Sequence, residues 1–182
     1  MMVDHFARRL SAAPLSVVSP DVGGIKRAQL FREMLQRRLG REVEMAFIEK
    51  RRAQDIVSSG ALVGDVSKRD VIVIDDLCAS GGTLMRAGDA CLRAGATAVH
   101  AAVTHTPLTR GLAALLAAKS LASVVVTDSV GFGPERLATP AADNTKLVTL
   151  PVGPLFGAAL RRMLAGKPLA PLLERWPVGF EE

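Results

Sequence analysis

The chain is 182 residues long, 49% hydrophobic and only 4% aromatic, with no Tyr. That length fits one domain, and the apolar content excludes a disordered chain. Its net charge of +5 is gathered at residues 26–52 and 161–175, and so few aromatics for base stacking argue against a single-strand nucleic-acid binder.

Leu15-Ser16-Val17-Val18-Ser19 predicts a strand closed by Pro20, with Asp21-Val22-Gly23-Gly24 as a loop. Ile25, Ala28, Phe31, Leu35 and Leu39 follow at helical spacing, and Gly40 stops that helix. Val43 to Ile48 predicts a strand. Residues 49–69 are charged and aperiodic and read as a long mobile loop, with a turn at Leu62–Val66. The β-branched run Val71-Ile72-Val73-Ile74 is a buried strand, and a helix runs from Gly82 to Arg93. Further strands fall at Thr97–Val103, Ser123–Thr127 and Lys146–Leu150, with helices at Leu108–Lys119 and 154–165. Residues 129–144 form a second long loop, and the tail from 169 is short. Alternating strands and helices predict an α/β fold, a parallel sheet flanked by helices in three layers. His5 falls in a frayed terminus. Cys78 and Cys91 lack partners at metal-ligand spacing, MMVDHFARRL has no apolar signal core, and no apolar run reaches the ~18–20 residues of a membrane span. The expectation is a soluble, cytoplasmic protein with neither nucleic acid nor membrane as partner.

Three loops leave the carboxyl ends of predicted strands, where ligands bind in such sheets. Asp75-Asp76-Leu77-Cys78-Ala79-Ser80-Gly81-Gly82-Thr83 opens with two acids and closes with small, hydroxyl-bearing residues before a helix. Backbone N–H groups of Ala79, Ser80, Gly81, Gly82 and Thr83, with the helix dipole, suit a phosphate. Asp75 and Asp76 repel phosphate but accept hydrogen bonds from sugar hydroxyls or hold Mg²⁺ through water. In the second loop, Gly23 and Gly24 permit close backbone approach, and Asp21 is suited either to ligate a metal or to cap the helix. In the third, Glu49-Lys50-Arg51-Arg52 alone reads as a solvated charged loop; beside the other two it reads as an electrophilic clamp on phosphate charge. His105 reads as a hydrogen-bonded structural residue, and Cys78 as a small packing residue.

The 75–83 loop resembles the phosphoribosyl-diphosphate motif of type I phosphoribosyltransferases: two acids, three variable positions, then Ser-Gly-Gly-Thr. Val17 to Ala28, Glu49-Lys50-Arg51-Arg52, Val63-Gly64-Asp65-Val66, Ala102-Val103-Thr104-His105, Val125 to Ser129 and Pro154-Leu155-Phe156 resemble, in order and spacing, the ribose-phosphate pyrophosphokinase family. The resemblance implies a type I phosphoribosyltransferase-like fold over residues 15–166. It implies transfer of diphosphate from ATP to the 1-hydroxyl of ribose 5-phosphate with Mg²⁺. Asp75, Asp76 and residues 79–83 would then hold ribose 5-phosphate. Asp21, Val22, Gly23 and Gly24 would hold the diphosphate, with Asp21 a Mg²⁺ ligand, and Lys50 and Arg52 would be catalytic.

Two departures stand out. Ala79 replaces an acid that many family members carry, although adenine phosphoribosyltransferases show an Ala-Thr-Gly-Gly-Thr form. The family chain has two similar halves, and this sequence resembles the second, with residues 1–14 as a remnant of the join and 167–182 as a tail. The complete enzyme is a homo-oligomer by the same resemblance, and the isolated half is expected to be inactive. Two other readings stay open: a phosphoribosyltransferase acting on a base, and a non-catalytic phosphoribosyl-binding regulator of a full-length synthetase.

Overall fold

The computed structural model describes residues 1–10, 12–49, 61–107, 111–130 and 146–172, with the backbone alone of 52–53, 56–57 and 173–174. Strands β1 (Leu15–Ser19) and β8 (Ser123–Thr127) are buried at every position, as are Val71 to Ile74 of β6 (Asp70–Leu77). Such continuous burial arises when both faces of a parallel sheet are covered, so these strands lack polar–apolar alternation. Together with β2 (Glu44–Glu49), β5 (Ala61–Val63), β7 (Ala98–His105) and β9 (Leu147–Leu150) they form a seven-stranded sheet in the order β5-β2-β1-β6-β7-β8-β9. Every pairing is parallel except β5 on β2, where Phe47 faces Val63.

Two apolar layers enclose the sheet. Helices α1 (Met2–Arg9) and α2 (Ile25–Leu39) cover one face, where Phe6, Phe31 and Leu35 meet Val17, Ile72 and Ile74. Helices α3 (Gly82–Arg93) and α4 (Leu112–Ala117) cover the other, where Leu84, Leu112 and Leu115 meet Val18, Val71 and Val73. The period-two alternation along β6 thus feeds both cores. Helices α5 (Gly153–Leu164) and α6 (Ala170–Glu174) follow β9, and α5 leaves Phe156, Leu160, Met163 and Leu164 exposed.

The connections diverge at one place. After β1 the chain crosses outward to β2, whereas from β6 it runs the other way through β7, β8 and β9. A crevice therefore opens between the carboxyl ends of β1 and β6, the switch point at which open α/β sheets bind ligands.

Some expectations are corrected. The N-terminus is not frayed at His5: α1 seats Phe6, 1% exposed, edge-on to Phe31 and His100 at centroid separations of 6.3 and 6.2 Å. The segment 49–69 is not a continuous loop. Two-residue strands β3 (Arg52–Ala53) and β4 (Ile56–Val57) pair antiparallel, and β5 adds to the free edge of β2. Three apolar residues are too few to show a period, and β5 is ordered by its neighbour rather than by its own sequence. Gly64, at φ +111°, lets the chain leave that edge, since a Cβ there would lie 2.6 Å from the Met45 carbonyl oxygen. Helix α4 ends at Ala117 rather than Lys119, and the tail contains α6. Most of the second long loop, 131–145, and the expected helix start at 108–110 lie outside the described residues.

Candidate active site

The turn after β1 is held by its own side chains. Asp21 Oδ1 accepts the Gly24 N–H at 3.2 Å, and Ser19 Oγ donates to the Asp21 carbonyl oxygen at 2.6 Å. Asp21 therefore does cap the short 3₁₀ turn Val22–Gly24 that leads into α2. Gly24 is buried against Ser19, whereas Val22 and Gly23 face outward at the crevice mouth.

Across the crevice, Asp75 and Asp76 stand near the carboxyl end of β6. Arg27, in the first turn of α2, reaches both: Nη1 lies 3.1 Å from Asp75 Oδ1 and Nη2 lies 2.6 Å from Asp76 Oδ2. Asp75 Oδ1 also accepts the Asp76 N–H at 2.9 Å. Burial holds the Asp75 carboxyl above the usual carboxylate range; the adjacent Asp76 carboxylate adds to this and Arg27 opposes it. Sequence reasoning did not single out Arg27 as a site residue. A signal was present: α2 carries Lys26 and Arg27 in its first turn and no acid there, against the helix dipole. Cations at a helix start call for an anionic partner.

Beyond the acids, the Cys78 N–H donates to the His105 carbonyl oxygen at 2.9 Å, tying the loop to β7. The Cys78 side chain is buried, and burial pushes its thiol pKa up, which fits a packing role. Ala79 and Ser80 are exposed, and Gly81 turns the chain at φ +78° into the first turn of α3. Arg86 folds back one turn to reach Thr83 Oγ1 at 3.4 Å. His105 is engaged with Ser129, Nδ1 to Oγ at 2.8 Å.

The structure thus brings Asp21, Val22, Gly23 and Gly24 to one wall and Asp75, Asp76, Ala79, Ser80, Gly81, Gly82 and Thr83 to the other. Lys50 lies outside the described residues, and Arg52 is described only as backbone, paired with Val57. β2, which leads to both, ends beside the 20–24 turn because it pairs directly with β1. Among the described residues no three His, Cys, Asp or Glu side chains cluster in a way that could hold a metal. Asp21 together with phosphate oxygens would offer a donor set that Mg²⁺ accepts.

A family model described as phosphoribosyl transferase domain matches residues 1–136. The chain belongs to the phosphoribosyl transferase domain family. Within it, the resemblance to the second half of ribose-phosphate pyrophosphokinases holds. The chain is 38% identical over 175 residues to a protein named ribose-phosphate pyrophosphokinase from Maricaulis maris, covering 96% of this chain and 53% of that one. It is 40% identical over 147 residues to the protein of that name from Agrobacterium fabrum, covering 80% and 44%. The crystal structure of phosphoribosylpyrophosphate synthetase from Mycobacterium smegmatis superposes with a TM-score of 0.74 at 27% identity, over 91% of this chain and 50% of that one. The chain spans about half the length of the curated relatives it matches. Its sheet and flanking helices are those of the type I phosphoribosyltransferase-like fold. Among the described residues, no helix of this phosphoribosyl transferase domain is long and apolar enough to cross a membrane.

Proposed function

We propose that this domain binds ribose 5-phosphate and serves the transfer of a diphosphoryl group from ATP to its 1-hydroxyl, as ribose-phosphate diphosphokinase. The observation that carries the reading is the juxtaposition at the end of β6. Two carboxylates suited to sugar hydroxyls stand directly before a glycine-turned helix start suited to a phosphate.

In this reading the N–H groups of Ala79 to Thr83 and the hydroxyls of Ser80 and Thr83 take the 5-phosphate. Asp75 and Asp76 accept hydrogen bonds from the ribose, orienting the 1-hydroxyl toward the opposite wall. The turn Asp21 to Gly24 receives the diphosphate, with Val22 and Gly23 exposed to it. Lys50 and Arg52 neutralise charge on the transferred group. Mg²⁺, held by Asp21 and the phosphates, supplies further charge neutralisation. Diphosphoryl transfer depends on positioning and electrostatics more than on covalent chemistry, and these side chains provide both. ATP and ribose 5-phosphate are then the small-molecule partners, in a cytoplasmic enzyme that assembles as a homo-oligomer when complete.

The test separates binding from turnover. Isothermal titration should show ribose 5-phosphate binding more tightly than inorganic phosphate. AMP release from ATP, ribose 5-phosphate and Mg²⁺ should be absent from the isolated chain and appear when the remaining half of a relative is supplied in one polypeptide. Release of pyrophosphate from phosphoribosyl diphosphate on addition of a nucleobase would replace this reading with base transfer.

A further inference from the structure

Arg27 takes one oxygen from each of the two acids, Oδ1 of Asp75 and Oδ2 of Asp76. The remaining oxygen of each carboxylate has no hydrogen-bond donor among the described residues. Consecutive strand residues point to opposite faces, and β6 obeys this just before the acids: Val73 lies in one apolar cluster and Ile74 in the other. Left to the strand, Asp75 and Asp76 would diverge. One guanidinium, with two parallel N–H donors in a fixed fork, holds them together across the strand end.

We infer that Arg27 is a positioning residue that turns the remaining oxygens of Asp75 and Asp76 into a matched pair of acceptors for a vicinal diol, and so makes the site select ribose over deoxyribose. The inference rests on the ribose 5-phosphate reading above. Arg27 touches neither the sugar nor the phosphate in this arrangement; it acts through the two acids. Its charge also lies against both carboxylates, which as neighbouring like charges repel each other. A lysine keeps the charge but cannot fork, so it should only partly replace Arg27.

The experiment titrates ribose 5-phosphate, 2-deoxyribose 5-phosphate and inorganic phosphate into the wild-type chain and into Arg27→Gln and Arg27→Lys. The wild type should prefer the ribose ligand. In Arg27→Gln that preference should fall by about tenfold, toward one, as expected for losing a bidentate charge-assisted pair. Inorganic phosphate should bind within about twofold of wild type, because its N–H partners do not involve Arg27. Arg27→Lys should fall between the two. The pH at which ribose 5-phosphate binding is half lost should rise in Arg27→Gln, since only the Asp76 N–H would then oppose the upward push of burial on Asp75. A purely structural role would weaken all three ligands alike and leave the pH dependence in place. If the wild type distinguishes ribose 5-phosphate from inorganic phosphate and Arg27→Gln keeps the wild-type ribose preference, the assignment of Arg27 is overturned alone. If the wild type makes no such distinction, the ribose 5-phosphate reading falls and takes this inference with it.

Discussion

The hydroxyl oxygen of Ser19 lies 2.5 Å from the point where a Cβ on Gly24 would stand. These two residues fit only while position 24 has no side chain. That contact closes the turn that presents Asp21, because the same hydroxyl donates to the Asp21 carbonyl oxygen. Gly24→Ala should therefore cost about 1–3 kcal/mol through overpacking. Ser19→Ala alone should cost about 1 kcal/mol for the lost hydrogen bond. The double variant removes the obstructing oxygen and should be more stable than the sum of the two losses. Urea unfolding of the four proteins measures the coupling, and strict additivity would contradict the geometry.

Gly81 should tolerate no side chain either, for a different reason. Its φ of +78° is costly for an L-residue, and a Cβ would meet Leu115 Cδ1 at 3.0 Å. Gly81→Ala should lose about 1–2 kcal/mol from backbone strain alone. It should also weaken inorganic phosphate binding, because the helix start is displaced. Unchanged phosphate affinity in a folded variant would mean that the start of α3 is not the phosphate site.

Stability should decline as pH falls below about 6.5. His100 and His5 both have their pKa lowered from the ordinary 6.5, in each case mainly by burial. Arg9 lowers both, Arg8 and His100 also lower His5, and Asp70 partly offsets the shift at His100. The folded state thus takes up these protons less readily than the unfolded chain, and the missing protons are charged against folding as acid is added. Asp75 has the opposite sign: its raised pKa lets the folded state hold a proton that the unfolded chain gives up. His100→Gln, compared with wild type between pH 7.5 and 5.5 by urea midpoint, should show a shallower decline; equal slopes would exclude His100 as a source.

The two thiols should be silent in the native protein. Cys91 is fully buried and its pKa is pushed up to about 12, while Cys78 is 4% exposed and shifted upward as well. Reaction with a disulfide reagent at pH 7.5 should be negligible until denaturant is added, and then release two equivalents, one for each Cys in the chain. Rapid reaction of one thiol in the folded protein would place Cys78 in the open crevice.

What could be read from the chain depended on how local the physics was. Val71 to Ile74 declares a buried strand because β-branched residues crowd into four positions, and Ser80 to Thr83 declares a turn into a helix through its glycines. Both needed only neighbours in sequence. The Arg27 clamp joins positions 48 and 49 residues apart, so nothing near either end reveals it beyond cations at a helix start. β5 was illegible because three residues carry no period and its order is borrowed from β2. Helix α1 was illegible because a helix of eight residues is marginal alone; its order comes from the contacts of Phe6 with Phe31 and His100.

That placement of α1 matters to the crevice. Phe6 and Ala7 share a cluster with Ile72 and Ile74, on the strand that leads into Asp75 and Asp76. The strand that carries the acids is thus clamped from behind by the first helix and from the front by Leu84 and Leu115. It behaves as a stiff beam that carries the two acids near its far end. Loosening α1 would let the beam flex, so a change in the first ten residues would be felt as a blunter grip on the ligand, at a site that α1 never touches.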